Sequence, residues 1–359
     1  MLKRIDENFM RLALELAKKR KGYTHPNPTV GALVVKEGKI VGLGYHERAG
    51  KPHAEVIAIN QAGEKAKGAT LYVTLEPCTH YGRTPPCTNL IIEKGIKRVV
   101  IATLDPNPVV SGKGVERLKN AGIEVEVGVL ERQAKELNED FFTYITQRRP
   151  YVTLKWAQTL DGKLATITGD SKWISSFESR KLAHLLRREA TAVLVGVNTV
   201  IKDDPQLTVR HLPTQRQPLR VILDPDLRIP LNSKVLDQSV AKTLVITSKG
   251  QSEKVKALEE RGVEVLQLES LSIPNILKAL YEREVMHLLV EGGAKTISSF
   301  LKEKIFDRIC VFVAPKIVGE GLSFEGLGVK KIEESLKLKK RKSLNLGEDL
   351  YLEYVKEQS

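Results

Sequence analysis

A histidine, a glutamate and two cysteines fall in a spacing that suits metal-assisted hydrolysis: His53-Ala54-Glu55, then Glu76-Pro77-Cys78, then Pro85-Pro86-Cys87. One imidazole and two thiolates are three soft-to-borderline ligands, which suits Zn2+ and leaves the fourth tetrahedral position to water. An open position makes the site catalytic, whereas a structural zinc wants a fourth Cys or His; His80 is close enough in sequence to compete for that place. Glu55 lies two residues from His53, where its carboxylate can take the water's proton and pass it to a ring nitrogen and then to departing ammonia. That is the chemistry of nucleobase-type deamination. A His-x-Glu alone, or two cysteines alone, would also arise in an ordinary core. Their order is what carries the reading. The third cysteine, Cys310, lies in the apolar run 309–313 and reads as core.

A second chemical signal is Glu291-Gly292-Gly293, which follows an apolar run at 287–290 and opens a helix near Thr296. Glycines there let a phosphate approach main-chain amides at a helix N-terminus, although a Gly pair after a strand is equally a tight turn. The chain carries no G-x-G-x-x-G after a first strand, so a Rossmann dinucleotide fold is not indicated.

The elements that must position these groups follow from periodicity. In the first half the strands are 29–35, 39–43, 70–75, 98–104 and 124–129, the helices 54–66, 89–94 and 114–121, and the start reads as an amphipathic helix. Lys36-Glu37-Gly38 joins the first two strands as a hairpin. Arg148-Arg149-Pro150 breaks the pattern, dividing the chain into domains 1–147 and 148–359. The second half places strands at 151–156, 192–197, 219–223, 243–247, 264–268, 287–290 and 308–313, with helices at 178–188, 253–261, 273–283 and 296–302. Both halves are α/β.

A length of 359 residues suits two domains, and a hydrophobic fraction of 42% can build both cores. Three cysteines make no disulfide framework, which points to a reducing cytoplasm with thiols left for metal. No apolar run approaches a membrane span. The net charge of +13 is spread along the chain among 44 acidic residues, as on a solvated surface rather than a nucleic-acid face.

Eight residues separate Cys78 from Cys87, where nucleic-acid and cytidine deaminases usually carry Cys-x-x-Cys. With that spacing, HPNPTVGALVV, HAE, TLEPCTHYGRTPPC and IATLDPNPVVSGKG resemble the deaminase domain of the bifunctional riboflavin-biosynthesis deaminase/reductases. TLKWA, TLDGK, SKWIS, VNTV, DDPQLTVR, ILD and VEGG resemble the reductase domain of the same family, extending the resemblance over almost the whole chain. It implies a cytidine-deaminase-like α/β/α sandwich followed by a dihydrofolate-reductase-like α/β domain. It also implies two cofactors, Zn2+ and NADPH, and one small phosphorylated pyrimidine as substrate. No nucleic acid or membrane partner is implied, and a homo-oligomer is allowed.

By the same resemblance His53, Cys78 and Cys87 bind zinc and Glu55 shuttles protons, while Asn27, His46, His80, Arg83, Asp105 and Asn107 contact substrate. Amides and carboxylates can read ring edges and Arg83 can fork onto phosphate, whereas Asn27, Asp105 and Asn107, each beside a proline, could equally serve as turn formers. In the reductase half, Ala157, Trp173, Thr199, Asp203 and the stretch Gly293, Ala294, Lys295, Thr296, Ile297, Ser298 and Ser299 would contact NADPH. Ser171, Arg187, Leu207, Arg210 and Glu291 would contact substrate. Lys155 is the candidate for polarising or protonating the reacting group, supported by Glu291 and Asp161. A solvated charge is the alternative for Arg187, and a surface lysine on an edge strand the alternative for Lys155. Two other functions stay open: a nucleic-acid deaminase, which leaves the second half unexplained, and a non-catalytic module with structural zinc, which leaves Glu55 unexplained.

Overall fold

Met10, Ala13, Leu14 and Ala17 recur three and four residues apart, so a helix places them on one stripe; α1 (Leu2–Lys18) forms and buries it. The computed structural model describes residues 2–79, 85–108 and 110–357. Two compact units divide at Arg148 and Arg149: Met1–Arg148 and Arg149–Ser359.

In the first unit β1 (Gly31–Lys36) and β2 (Lys39–Tyr45) make the hairpin. Glu37 and Gly38 both have positive φ (51° and 73°), which matches the twist of a two-residue turn. There follow α2 (Ala54–Ala62), β3 (Thr70–Val73), α3 (Cys87–Glu93), β4 (Arg98–Ile101), α4 (Lys113–Asn120), β5 (Glu124–Val127), α5 (Glu131–Leu137) and α6 (Glu139–Gln147). The sheet order is β2-β1-β3-β4-β5, antiparallel up to β3 and parallel beyond it. On one face Leu33, Val35, Tyr72 and Val100 pack against α1 and α5. On the other, Gly42 and Gly44 let α2 lie directly on β2: a Cβ there would stand 2.0 Å from the Ala58 oxygen and 2.3 Å from the Ala54 oxygen. This close approach fixes the start of α2, where His53 and Glu55 sit.

The second unit contains β6 (Tyr151–Thr159), β7 (Ala165–Thr166), α7 (Phe177–Glu189), β8 (Ala192–Gly196), α8 (Val197–Asp203), β9 (Leu219–Leu223) and β10 (Thr243–Thr247). It continues through α9 (Glu253–Glu259), β11 (Glu264–Gln267), α10 (Ile273–Tyr281), β12 (His287–Val290), α11 (Ala294–Lys302), β13 (Arg308–Ala314), β14 (Gly321–Leu322), β15 (Leu338–Leu346) and β16 (Asp349–Lys356). The main sheet runs β11-β10-β9-β8-β12-β6-β13-β16-β15, parallel from β11 to β13 and antiparallel at β16 and β15. Both faces are covered, as a parallel sheet requires. Val152, Leu154, Leu194 and Val221 pack under α10 and α11, while Val193, Val195, Ile222 and Phe312 pack under α7, α8 and α9. Alternation along β6 therefore turns Lys155 and Ala157 toward the α7 and α8 face. Among the described residues no helix is long and apolar enough to cross a membrane.

Candidate active sites

In the first unit, helix starts and a strand end bring the metal-type ligands together. His53 caps α2 in extended conformation without a side-chain cap bond, Cys87 opens α3, and Cys78 follows β3. Their ligand atoms lie within 4.8 Å of one another. His53 Nδ1 is 3.2 Å from Cys87 Sγ and 3.8 Å from Cys78 Sγ, and the Cys87 N–H donates to Cys78 Sγ at 3.4 Å. The Cys87 thiol holds the Cys78 thiol down to about 4, and hydrogen bonding to Cys78 in turn raises His53. A set that already favours one thiolate and converges in three directions fits zinc. Glu55, in the first turn of α2, is buried against this group, and burial pushes its carboxyl up.

A cavity of about 310 Å³ opens on His53, Glu55 and Cys78 and is lined also by Asn27, His46, Asp105 and Asn107. His46 Nδ1 lies 3.1 Å from the Pro52 oxygen and Nε2 lies 3.0 Å from Asn27 Nδ2. A carbonyl can only accept, so Nδ1 carries the proton and Nε2 accepts from the Asn27 amide. That choice leaves Oδ1 as the acceptor of the Asn27 side chain, on a residue that lines the cavity. Burial lowers the His46 pKa, which agrees with a neutral ring. Asp105 does form a local turn, accepting from Asn107 N at 2.8 Å, and both residues nevertheless line the cavity. His80 and Arg83 lie outside the described residues.

Three residues that hold these loops carried no sequence signal. Asn138, between α5 and α6, accepts from Thr29 N at 2.7 Å and donates to the Thr29 oxygen at 2.9 Å. Asp140 bonds His25 Nε2 at 2.9 Å and Lys21 Nζ at 2.8 Å, pinning the stretch that leads to Asn27. Glu76 receives main-chain N–H groups from the Asp105 loop. A polar residue within a helical stretch, or before a Pro-Cys pair, gives no hint of so distant a partner.

In the second unit the charged groups are set by strand register. Val290 pairs with Leu154 across β12 and β6, so Glu291 emerges beside Lys155, with Nζ 3.7 Å from Oε2. Arg187 reaches from α7 and forks onto the same carboxylate at 2.6 and 2.9 Å, donating also to the Thr208 oxygen at 3.0 Å. Burial opposes ionisation of Glu291, but Arg187 and then Lys155 outweigh it and hold the carboxyl at about 2. Burial also pulls the Lys155 ammonium down. The alternative readings of both cations fail here: the Arg187 side chain is only 12% exposed, and β6 lies inside the sheet between β12 and β13.

Thr199 Oγ1 accepts from Gly293 N at 3.2 Å, joining α8 to the start of α11. Gly293 is extended and α11 has no side-chain cap, so its first N–H groups face outward from the Gly pair. Thr296 packs so closely that a Cβ on Gly196 would stand 2.7 Å from its Oγ1 and one on Gly292 2.9 Å from its Cβ. An uncapped, glycine-lined helix start beside a hydroxyl suits a dinucleotide phosphate. Ile297 and Ser298 point into the core, Ser298 Oγ accepting from Glu325 N, so at the helix start the residues of the 293–299 stretch that stay out of the core are Gly293, Ala294, Lys295 and Thr296. Lys295 and Ser299 are exposed, with Ser299 Oγ bonded back to the Lys295 oxygen. Trp173 is 63% exposed under the Arg180 guanidinium, and Asp203 pairs with Lys172 across an open hollow that includes Ser171.

The Leu207 side chain is buried in the core, which leaves only its main chain to a ligand. Arg210 is exposed, with its N–H fixed by His184 Nδ1 at 2.9 Å and Nη1 by Thr208 Oγ1 at 3.0 Å. Asp161 is committed elsewhere: it accepts from Thr159 Oγ1 and from Gly319 N, fastening a loop.

Comparison with known proteins places both units. The cytidine and deoxycytidylate deaminase zinc-binding region family matches residues 3–103, and the RibD C-terminal domain family matches residues 150–352. The riboflavin biosynthesis protein RibD of Aquifex aeolicus is 72% identical over 98% of this chain and 99% of its own, and that of Escherichia coli is 38% identical over 98% and 99%. A Thermotoga maritima structure described as a diaminohydroxyphosphoribosylaminopyrimidine deaminase/5-amino-6-(5-phosphoribosylamino)uracil reductase superposes with TM-score 0.91 at 45% identity, covering 99% of this chain and 100% of that one. With a deaminase-type His/Cys/Cys group in one unit and a RibD-type reductase fold in the other, the chain belongs to the RibD family of bifunctional riboflavin-biosynthesis deaminase/reductases.

Proposed function

We propose that residues 1–147 deaminate 2,5-diamino-6-ribosylamino-4(3H)-pyrimidinone 5′-phosphate and that residues 148–359 reduce its ribosyl side chain to give 5-amino-6-ribitylamino-uracil 5′-phosphate. The observation that carries this reading is the buried Glu55 beside the converging His53, Cys78 and Cys87, with Glu55, His53 and Cys78 lining a cavity of about 310 Å³. When bound, zinc supplies an activated water and NADPH supplies a hydride. Glu55 carries one proton of the attacking water to the ring nitrogen beside the amino-bearing carbon, then carries the remaining proton of that oxygen to the amino group, which departs as ammonia. Asn27 Oδ1, held by His46, reads ring N–H groups, and Asp105 and Asn107 read the opposite edge. Arg83 and His80 complete this set by family resemblance.

In the second unit Glu291 keeps Lys155 charged and directed, and Lys155 donates a proton to the opened sugar as it is reduced. Arg210, with Arg187 behind it, presents positive charge to the substrate phosphate. The Gly293–Thr296 turn, Thr199, Ala157, Trp173 and Asp203 orient the dinucleotide; Ser171 and the Leu207 main chain border the substrate. Two thiolate ligands require a reducing compartment, so we place the reactions in the cytoplasm, on a small-molecule substrate. The test is to supply the pyrimidine substrate with and without NADPH. Ammonia release in both cases, with NADPH consumed only after deamination, supports the assignment; NADPH oxidation without ammonia release refutes the order.

A further inference from the structure

Glu76 stands two residues before Cys78, is only 4% exposed, and takes no part in the chemistry described above. Its Oε1 accepts from Gly114 N (2.9 Å) and Val115 N (3.2 Å), and its Oε2 from Gly112 N (3.0 Å) and Asp105 N (3.2 Å). These donors span the segment from Asp105 into the first turn of α4. Such bonds to an ionised acceptor are roughly twice as strong as neutral ones, and both oxygens are used in full. The segment also closes sterically on the same stretch: a Cβ on Gly114 would stand 2.3 Å from the Pro77 oxygen and 3.0 Å from Glu76 Oε1. Asp105 and Asn107 lie inside the stretch so clamped, with both side chains on the cavity.

We propose that Glu76 is a positioning residue for deamination, its carboxylate setting where the Asp105 and Asn107 side chains meet the pyrimidine. This rests on the reading of Asp105 and Asn107 as substrate contacts. Tied to the strand end that carries Cys78, the loop keeps one distance to the metal ligands whether or not substrate is bound. Because the clamp acts on binding groups, its loss weakens substrate binding more than it slows the bound complex.

Glu76→Gln preserves size but offers one acceptor oxygen and one NH2, so one pair of N–H groups meets a donor. Deamination KM should rise about tenfold or more, given the cost of leaving buried N–H groups unpaired, while kcat falls less than about threefold. Zinc per chain and NADPH-dependent reduction of the deaminated substrate should be unchanged in the same preparation. Gly114→Ala attacks the clamp from the loop side and should give the same KM-weighted defect. An unchanged KM in both variants, a kcat loss at constant KM, or loss of zinc overturns the proposal, as does failure of both variants to retain reduction, which would make Glu76 a folding residue. Asn107→Ala separates the two levels. If it raises KM while Glu76→Gln and Gly114→Ala do not, the loop reads substrate without help from Glu76. If Asn107→Ala and Asp105→Ala both leave KM unchanged, the underlying reading of the loop fails.

Discussion

In the first unit the reactive groups sit where helices begin and a strand ends, on separate pieces of chain: His53 before α2, Cys78 after β3, Cys87 at the start of α3. In the second unit Lys155 and Glu291 sit on neighbouring parallel strands whose register fixes them, and Arg187 closes the group from a helix. The first arrangement is completed by an ion, the second by ion pairing within the chain, two cations sharing one carboxylate. An ion-completed site can be emptied without disturbing the sheet beneath it, whereas a buried ion triad cannot lose its central carboxylate without stranding two cations.

The largest expected difference comes from the first site. Glu55→Gln should lower deamination by about 10²- to 10⁴-fold, the usual contribution of a positioned proton-transfer group, with zinc retained at about one per chain. Chelation, or Cys78→Ser with Cys87→Ser, should remove deamination while reduction of already deaminated substrate continues. Reduction that falls in parallel with zinc content would show that the two sites are not independent.

Next in size is Glu291→Gln, which leaves Lys155 and Arg187 buried without their anion. It should destabilise the second unit by about 3–5 kcal/mol in urea unfolding and abolish reduction. Lys155→Met keeps the forked Arg187–Glu291 pair and should lose reduction at a much smaller cost in stability. Equal stability losses in the two variants would contradict the central place given to Glu291.

A smaller effect is expected at the rim. Arg210→Ala should weaken binding of the phosphorylated reduction substrate by about tenfold, in line with loss of one charged hydrogen-bonding group, and leave its dephosphorylated analogue unaffected. Equal losses for both ligands would place Arg210 elsewhere on the substrate.

Legibility in the sequence differed between the same two regions. The ligand set of the first site was readable because metal chemistry restricts residue type and the order strand, Cys, Cys, helix is local. Its supports were not: Asn138 and Asp140 act on residues more than a hundred positions away, and the elements read from periodicity stopped at 129 because α5 buries little beyond Ala134 and Leu137. In the second unit the parallel strands were legible as continuous apolar runs. The β15 and β16 hairpin was not, because β15 is an edge strand whose Lys339, Lys340, Arg341 and Lys342 are exposed and break the alternation that marks a half-buried strand. The α8 helix was hidden in a motif, since seven residues burying only Val197 and Val200 make no period. Sequence placed Lys155, Arg187 and Glu291 in one site through resemblance, but only register shows that they share a single carboxylate.

The smallest predicted effect tests that sharing by pH. Glu291 is faced by Arg187 and His184 from α7 and by Lys155 from β6, and it ionises at about 2 in the folded chain against 4.5 for the ordinary carboxyl. A depressed folded pKa means that its contribution to stability is complete above about 4.5 and is lost as pH falls from there toward 2. Between pH 5 and pH 4 the unfolded carboxyl takes up about half a proton while the folded one stays ionised, which removes about 0.7 kcal/mol of unfolding free energy. His184, which burial and then Arg187 hold at about 3, is protonated in the unfolded chain across this window and adds a slope of its own, so the comparison is made in a His184→Asn background that removes that titration. The reference is the triple variant Lys155→Met, Arg187→Met, Glu291→Leu, which removes all three charges with similar volume and so has no titration at this position. In that background, unfolding free energies of the second unit measured at pH 5 and pH 4 should fall further in the chain that keeps Lys155, Arg187 and Glu291 than in the triple variant, by about that amount. Identical slopes would mean that Glu291 is not held ionised by its two cations, and the contrast between an ion-completed and an internally ion-paired site would lose its second half.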